Sequence, residues 1–332
     1  MTRLQLRTAV ADYDRVQPLV DGSVTSDRVD LNAETHAPSE IFYRLLNDSE
    51  FDVAEMSMSS HFISCQTGWD YIAIPVFPNR RLFHLNAWTT LDGPGAQTLK
   101  GTRFGLTEYQ VTAAVWSRGV FAEDFGLDLK DVSWFVERTA ELSHGGETGF
   151  VPPAGTSVEH LAGGDTMIEA LRRGDLDVVL PSPYPGMKSR LNRTDEQDLE
   201  TSPDLRPLFT DPRAEAERFI EAHSFLPMNH TVVIRKSLVE ENPWLAQEVF
   251  TLFEQAKETA RQRLASLRRS HLVLASVYMA EDRALFGADP YPYGFGVNAE
   301  ALQTLGRFML DQGLVSSPVD VEAAFVPSML GT

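Results

Sequence analysis

Two polar strings in this chain stand where apolar strands should end. The first is Phe51-Asp-Val-Ala-Glu-Met-Ser-Met-Ser-Ser60. It opens with the buried-strand residues Phe51, Val53 and Ala54 and closes on hydroxyls. Glu55 is then a carboxylate at the end of a buried strand. Burial would raise its pKa and suit it to proton transfer; alternatively it pairs with an arginine such as Arg15. Ser57, Ser59 and Ser60 can each cap a helix or offer a hydroxyl to an anion. The second string runs from Arg103 to Ala114 and carries Glu108, Tyr109, Gln110 and Thr112 at a helix start. Glu108 is a candidate acid or base, or a carboxylate that merely favours a helix N-terminus. Arg80 and Arg81 follow a strand that ends at Phe77-Pro78, a place for a bidentate carboxylate clamp or for a solvated pair. His84 lies just beyond them, and His230 with Thr231 lies on a later strand. Histidine titrates near neutrality, although a lone histidine on a strand is more often structural. Asp12, Asp14 and Arg15 are turn residues on one reading and pocket residues on the other. Carboxylates, histidines and arginines at strand ends are the parts of general acid–base chemistry on an anionic substrate.

Stronger signatures are absent from the sequence: no glycine-rich dinucleotide turn, no P-loop, no nucleophile elbow, and no paired histidine spacing on a helix. The eight histidines are scattered, including His36, His61, His144, His160, His223 and His271. No metal is expected, although a divalent ion held by His84, His230 and a glutamate is the alternative. Cys65 is the single cysteine, so no intrachain disulfide forms; it reads as a half-buried core residue.

The elements that must position these groups alternate. Strands are expected over Leu4–Val10, Val29–Ala33, Phe51–Ala54, Tyr71–Phe77, Ser133–Val136, Leu176–Leu180 and Phe225–Arg235. Helices are expected over Ser39–Leu46, from Ser60, after Gln110, over Asp165–Arg173, and over most of the chain beyond Pro243. Alternation of this kind indicates an α/β fold with largely parallel sheets. Asn79–Trp88 reads as an extended crossing into a second lobe, Leu142–Leu161 as a long covering loop, Arg190–Arg213 as a charged linker or surface stretch, and Asp289–Gly296 as a rigid aromatic loop. The expected plan is one discontinuous lobe, residues 1–86 and 230–332, with an inserted lobe, residues 87–229. Two crossings would join them around a ligand cleft. That is the plan of a hinged binding protein.

A chain of 332 residues suits two domains. The net charge of −18 argues against a nucleic-acid surface, while leaving room for an anion pocket lined by a few arginines. No run of about 18 apolar residues exists, so no membrane span is expected. No basic segment followed by an apolar run precedes the first strand, and the chain reads as cytoplasmic. A homo-oligomer, by default a dimer, is the expectation for its assembly.

The chain resembles the 4,5-dihydroxyphthalate decarboxylase family. The resemblance rests on Asp12-Tyr-Asp-Arg15, Glu40-Ile-Phe-Tyr-Arg44, the string from Phe51 to Ser60, and Ile74-Pro-Val-Phe-Pro78 with Arg80 and His84. It continues through Glu108 to Trp116 with Arg118-Gly119, His230-Thr-Val-Val-Ile-Arg235, Pro243-Trp-Leu-Ala-Gln247 and Pro292-Tyr-Gly294. It implies a two-lobed, type 2 periplasmic-binding-protein-like fold and a carboxy-lyase of aromatic catabolism, including phthalate degradation. The substrate would be a small hydroxylated aromatic carboxylate, and no organic cofactor would be needed. Such a site requires a carboxylate clamp, a base for the hydroxyl and an acid for the ring carbon. Arg80 or Arg81 with the serines would supply the first, His84 or His230 the second, Glu55 or Glu108 the third. A non-catalytic receptor for an aromatic acid, or another lyase on the same scaffold, are the alternatives.

Overall fold

The computed structural model describes residues 2–143, 152–182, 189, 191–196, 199–264 and 273–332. Part of the expected covering loop, residues 144–151 with His144, lies outside them. So do His271 and the ends of two helices expected to meet near residues 265–272.

Thirteen strands are described: β1 (Leu4–Gln5), β2 (Thr8–Val10), β3 (Val29–Asp30), β4 (Ala33–Thr35), β5 (Val53–Ser57), β6 (Tyr71–Arg80), β7 (Trp88–Thr90), β8 (Arg103–Leu106), β9 (Ser133–Val136), β10 (Ser157–His160), β11 (Val178–Leu180), β12 (Leu205–Pro207) and β13 (Met228–Arg235). They fall into two compact units.

The first unit holds Met1–Arg80, His223–Leu302 and Asp320–Thr332. Its five-stranded sheet has the order β4-β2-β5-β13-β6. β2 runs parallel to β4 and β5, whereas β13 is antiparallel to both β5 and β6. The returning strand therefore makes the sheet mixed rather than largely parallel. β5 is buried throughout, as its run of Val53, Ala54 and Met56 demands of a central strand. The helix Pro38–Asp48 starts with proline at its first turn and stops at Ser49 in the left-handed region. It buries Ile41, Phe42 and Leu45.

The second unit holds Arg81–Ala222 and Gln303–Val319. The chain thus passes between units four times, not twice, and Gln303–Val319 leaves the unit to which the sequence assigned all of residues 230–332. Its six-stranded sheet is ordered β10-β9-β8-β11-β7-β12, parallel from β10 to β11 and antiparallel at β7 and β12. The helix Met167–Arg173 begins in a capping box of Thr166 and Glu169 and ends at Gly174, whose φ of 78° favours glycine. It buries Met167, Ile168, Ala170 and Leu171 in a core with Leu176, Val179 and Leu205.

Three irregular expectations are corrected. Ser157–His160, expected within a loop, pairs in parallel with β9. Phe83–Asn86, expected as extended, is a short 3-10 turn that buries Phe83 and His84. The charged stretch from Arg190 contributes β12, because Leu205 reaches the core beside β7.

Candidate active site

Glu55 and His230 meet in the first unit. Both project from the buried centre of the sheet, with Glu55 fully buried and His230 nearly so. Glu55 Oε1 lies 2.5 Å from His230 Nδ1. The same oxygen accepts from the Tyr13 hydroxyl at 3.1 Å, and Oε2 accepts from the Ala11 backbone N–H at 2.8 Å. Surrounded by donors, Glu55 is an acceptor that orients the imidazole. The expected pairing of Glu55 with Arg15 is not what the structure shows. Asn79 extends the network, since its Nδ2 donates to the Tyr13 hydroxyl at 2.8 Å and lies 3.2 Å from His230 Nδ1. Phe42 packs edge-on against the imidazole with centroids 4.8 Å apart. Asn229 Nδ2 approaches Nε2 at 2.9 Å. An imidazole with a carboxylate on one nitrogen is held in a fixed orientation, an arrangement that general acid–base chemistry can use.

Arg15 joins the network through Tyr13. Its Cζ stands 4.4 Å from the Tyr13 ring centroid and 4.1 Å from that of Tyr291. Its Nε donates to the Pro78 carbonyl, and its Nη1 contacts Asp14 at 3.0 Å. Asp14 itself is about half exposed.

The remaining candidates are placed differently. Arg80 is buried at 2% exposure, and its fork is used internally. Nη1 donates to Leu226 O at 3.0 Å and Nη2 to Pro292 O at 2.9 Å, with Asn298 Oδ1 also accepting. Burial pulls this guanidinium down to about 10, still protonated at neutrality. It is a strut rather than a surface clamp. Arg81 is exposed. Ser57, Ser59 and Ser60 are all buried around the start of the helix Met58–Gln66, with the Ser57 and Ser59 hydroxyls 3.2 Å apart. Thr231 Oγ1 donates to Ile74 O within the sheet. Cys65 is half-buried, and burial pushes its thiol up to about 11, away from reactivity.

In the second unit, Glu108 forms a buried ion pair with Arg138 at 2.8 Å and also accepts from Ser143. Gln110 reaches it at 3.4 Å, and Arg138 donates to Asn192 at 2.8 Å. Tyr109 lies under Arg118, whose Cζ is 3.7 Å from the ring centroid. Thr112 is the buried first residue of the helix Thr112–Phe125. His84 is not beside a carboxylate clamp. It is buried between Phe209 and Phe219, with Nε2 2.8 Å from Glu215. Among the described residues no group of three or more His, Cys, Asp or Glu is placed to hold a metal ion.

Sequence reasoning missed Asn79, Tyr13, Tyr291 and Arg138. Tyr13 and Asn79 lie inside or beside strings already singled out, at strand ends. Arg138 lies two residues beyond the apolar strand β9, and that strand-end position is the signal that could have found it.

Comparison with known proteins places the fold and the family. The sulfonate-binding protein SsuA of Escherichia coli superimposes with a TM-score of 0.55 at 14% identity, over 98% of this chain and 92% of that one. SsuA of Xanthomonas axonopodis pv. citri, bound to MOPS, gives 0.55 at 13% identity over 98% and 99%. The chain has a periplasmic-binding-protein-like fold. No family model matches it. It is 31% identical over 335 residues to the 4,5-dihydroxyphthalate decarboxylase of Comamonas testosteroni, covering 99% of this chain and 98% of that protein. With the enzyme of that name from Pseudomonas putida it shares 34% identity over 228 residues, 68% of this chain and 84% of that protein. The chain belongs to the 4,5-dihydroxyphthalate decarboxylase family. No described helix is long and apolar enough to cross a membrane.

Proposed function

We propose that this protein is a carboxy-lyase that removes one carboxyl group from a hydroxylated aromatic acid such as 4,5-dihydroxyphthalate, using His230 and Glu55. The observation that carries the reading is the buried His230–Glu55 contact of 2.5 Å. A hydroxyl para to a carboxylate lets the ring act as its own electron sink. His230 takes the hydroxyl proton, and Glu55 stabilises the imidazolium that forms. The oxygen lone pair pushes into the ring, and the carbon bearing the carboxylate gains a proton. The bond to that carboxylate then breaks, its electron pair restores the aromatic ring, and carbon dioxide leaves. The hydroxyl recovers its proton, so the balance is one proton taken up for each carbon dioxide released. A positioned acid–base group is worth about 10²–10⁴-fold in such a step. Arg15 is the cation of this site that an anionic substrate would meet.

A receptor that binds an aromatic acid without changing it is the second reading, favoured by the likeness in fold to the sulfonate-binding proteins. One experiment separates the two. Chelator-treated protein is mixed with 4,5-dihydroxyphthalate, and carbon dioxide and the ring product are followed by chromatography. Release of protocatechuate supports the lyase and shows that no added metal is required. Substrate that stays intact, with and without a divalent metal, overturns it.

A further inference from the structure

We propose that Tyr291 is a positioning residue that holds Arg15 for the carboxylate the substrate keeps, making the site selective for aromatic acids with two neighbouring carboxylates. This rests on the reading of the first unit's site as a place for an aromatic carboxylate.

Arg15 is prepared for an anion in an unusual way. Its guanidinium contacts two aromatic rings, with Cζ 4.4 Å from Tyr13 and 4.1 Å from Tyr291. Nε is tied to the Pro78 carbonyl and Nη1 to Asp14. Among the described residues Nη2 has no hydrogen-bond partner, and the side chain keeps 15% exposure. A planar fork fixed by rings and by its inner nitrogen loses little freedom when its free edge meets a carboxylate.

The loop that carries Tyr291 is tied down far beyond what a connector needs. Lys257 Nζ donates to Tyr291 O at 3.0 Å and to Asp289 at 2.8 Å. Asp289 accepts in turn from the Tyr291 backbone N–H at 3.0 Å. Arg80 and Asn298 both donate to Pro292 O at 2.9 Å, and the Gly294 N–H donates to Pro75 O at 2.8 Å. The buried cation Arg80 thus braces the residue next to Tyr291.

Chemistry decides which carboxylate Arg15 holds. The departing carboxylate loses its charge on the way to carbon dioxide, so a cation on it would stabilise the ground state and oppose reaction. A cation on the retained carboxylate anchors the ring without that penalty. Tyr13 links the two functions, because its ring faces Arg15 while its hydroxyl donates to Glu55.

The test uses phthalate and benzoate, which lack the ring hydroxyls and differ by one carboxylate, measured by calorimetry. Wild-type protein is expected to bind phthalate at least about tenfold tighter than benzoate, as one charge-assisted hydrogen-bond set would give. Tyr291→Leu should reduce that ratio to about threefold or less with benzoate affinity little changed. Tyr291→Phe, which keeps the ring, should restore it. A ratio that survives Tyr291→Leu, or equal loss for both ligands, overturns the proposal. If wild-type protein leaves 4,5-dihydroxyphthalate intact yet the ratio responds to Tyr291 as expected, the lyase reading falls and the positioning role stands. If carbon dioxide is released and the ratio ignores Tyr291, only the positioning role falls.

Discussion

Glu55 and His230 lie diagonally across one antiparallel strand pair. Val232 is the direct partner of Glu55 and Ser57 that of His230, so all four side chains share one face of the sheet. Diagonal neighbours on such a face are within reach when the side chains are long. The pair is thus set by the register of two buried strands rather than by loops, which suits groups that must keep hydrogen-bond geometry through a reaction.

In the proposed mechanism Glu55 steadies an imidazolium, and Glu55→Gln would remove that charge while keeping the shape. We expect kcat for 4,5-dihydroxyphthalate to fall about 10²-fold or more, with KM changed by less than about threefold. His230→Gln should cost a similar factor. The double variant should be no worse than about the poorer single one if the two act as a unit, as proposed. Steady-state kinetics on the three variants checks this; a rise in KM alone would remove the acid–base role.

His84 is expected to matter for stability and not for turnover. Burial lowers its pKa more than the bond from Glu215 raises it. Burial likewise works to raise Glu215, but the contacts from Arg218 and His84 hold that carboxyl below its usual range. His84→Leu leaves Glu215 with Arg218 at 2.7 Å, so the cost should be about 1–3 kcal/mol. Chemical denaturation should show that loss while kcat stays within about twofold. A loss of kcat near that of His230→Gln would return His84 to the mechanism.

What the sequence could reveal about this site follows from what periodicity encodes. Glu55 and His230 could each be picked out, because each interrupts or ends an apolar strand. Their contact could not, because they are 175 positions apart and alternation says which face a residue takes, not which strand lies beside it. The same gap explains the mixed sheets, since the antiparallel entry of β13 leaves no mark on its own hydrophobic run. The place of Arg80 at a strand end suggests a carboxylate clamp or a solvated pair, and its buried fork is neither. Its carbonyl partners at Leu226 and Pro292 are distant backbone atoms with no sequence signature. The helix Met167–Arg173, by contrast, carries its start and stop in Thr166, Glu169 and Gly174, and there local residues suffice.

His61 should make the fold sensitive to mild acid. Burial drives its pKa down to about 4, against the contact with Ala324 O at 2.9 Å. Unfolded, the imidazole takes a proton near 6.5. The folded state refuses that proton, so the stability tied to the neutral form is full above 6.5 and is lost as pH falls toward 4. The loss amounts to about 3 kcal/mol over that window. His61→Gln cannot titrate, so the stability difference between wild type and variant should shrink steadily from pH 6.5 to 4. Parallel denaturation curves at both ends of the range would remove His61 as the cause.

Gly119 should tolerate no side chain, although alanine is the better helix former. A Cβ at that position would lie 2.1 Å from Phe308 Cδ2 and 2.6 Å from its Cγ. The crowded atoms include the root of the ring, so rotating its tip does not relieve them. Phe308 is itself buried and packs edge-on against Trp116 at 5.7 Å. Alanine gains about 1 kcal/mol in helix propensity. Overpacking costs about 1–3 kcal/mol and should outweigh that gain. Gly119→Ala is therefore expected to lower the melting temperature. Adding Phe308→Leu should recover part of the loss, making the double variant more stable than the two single effects summed. A Gly119→Ala protein as stable as wild type would mean that the ring of Phe308 can move aside, and that the contact does not fix this helix.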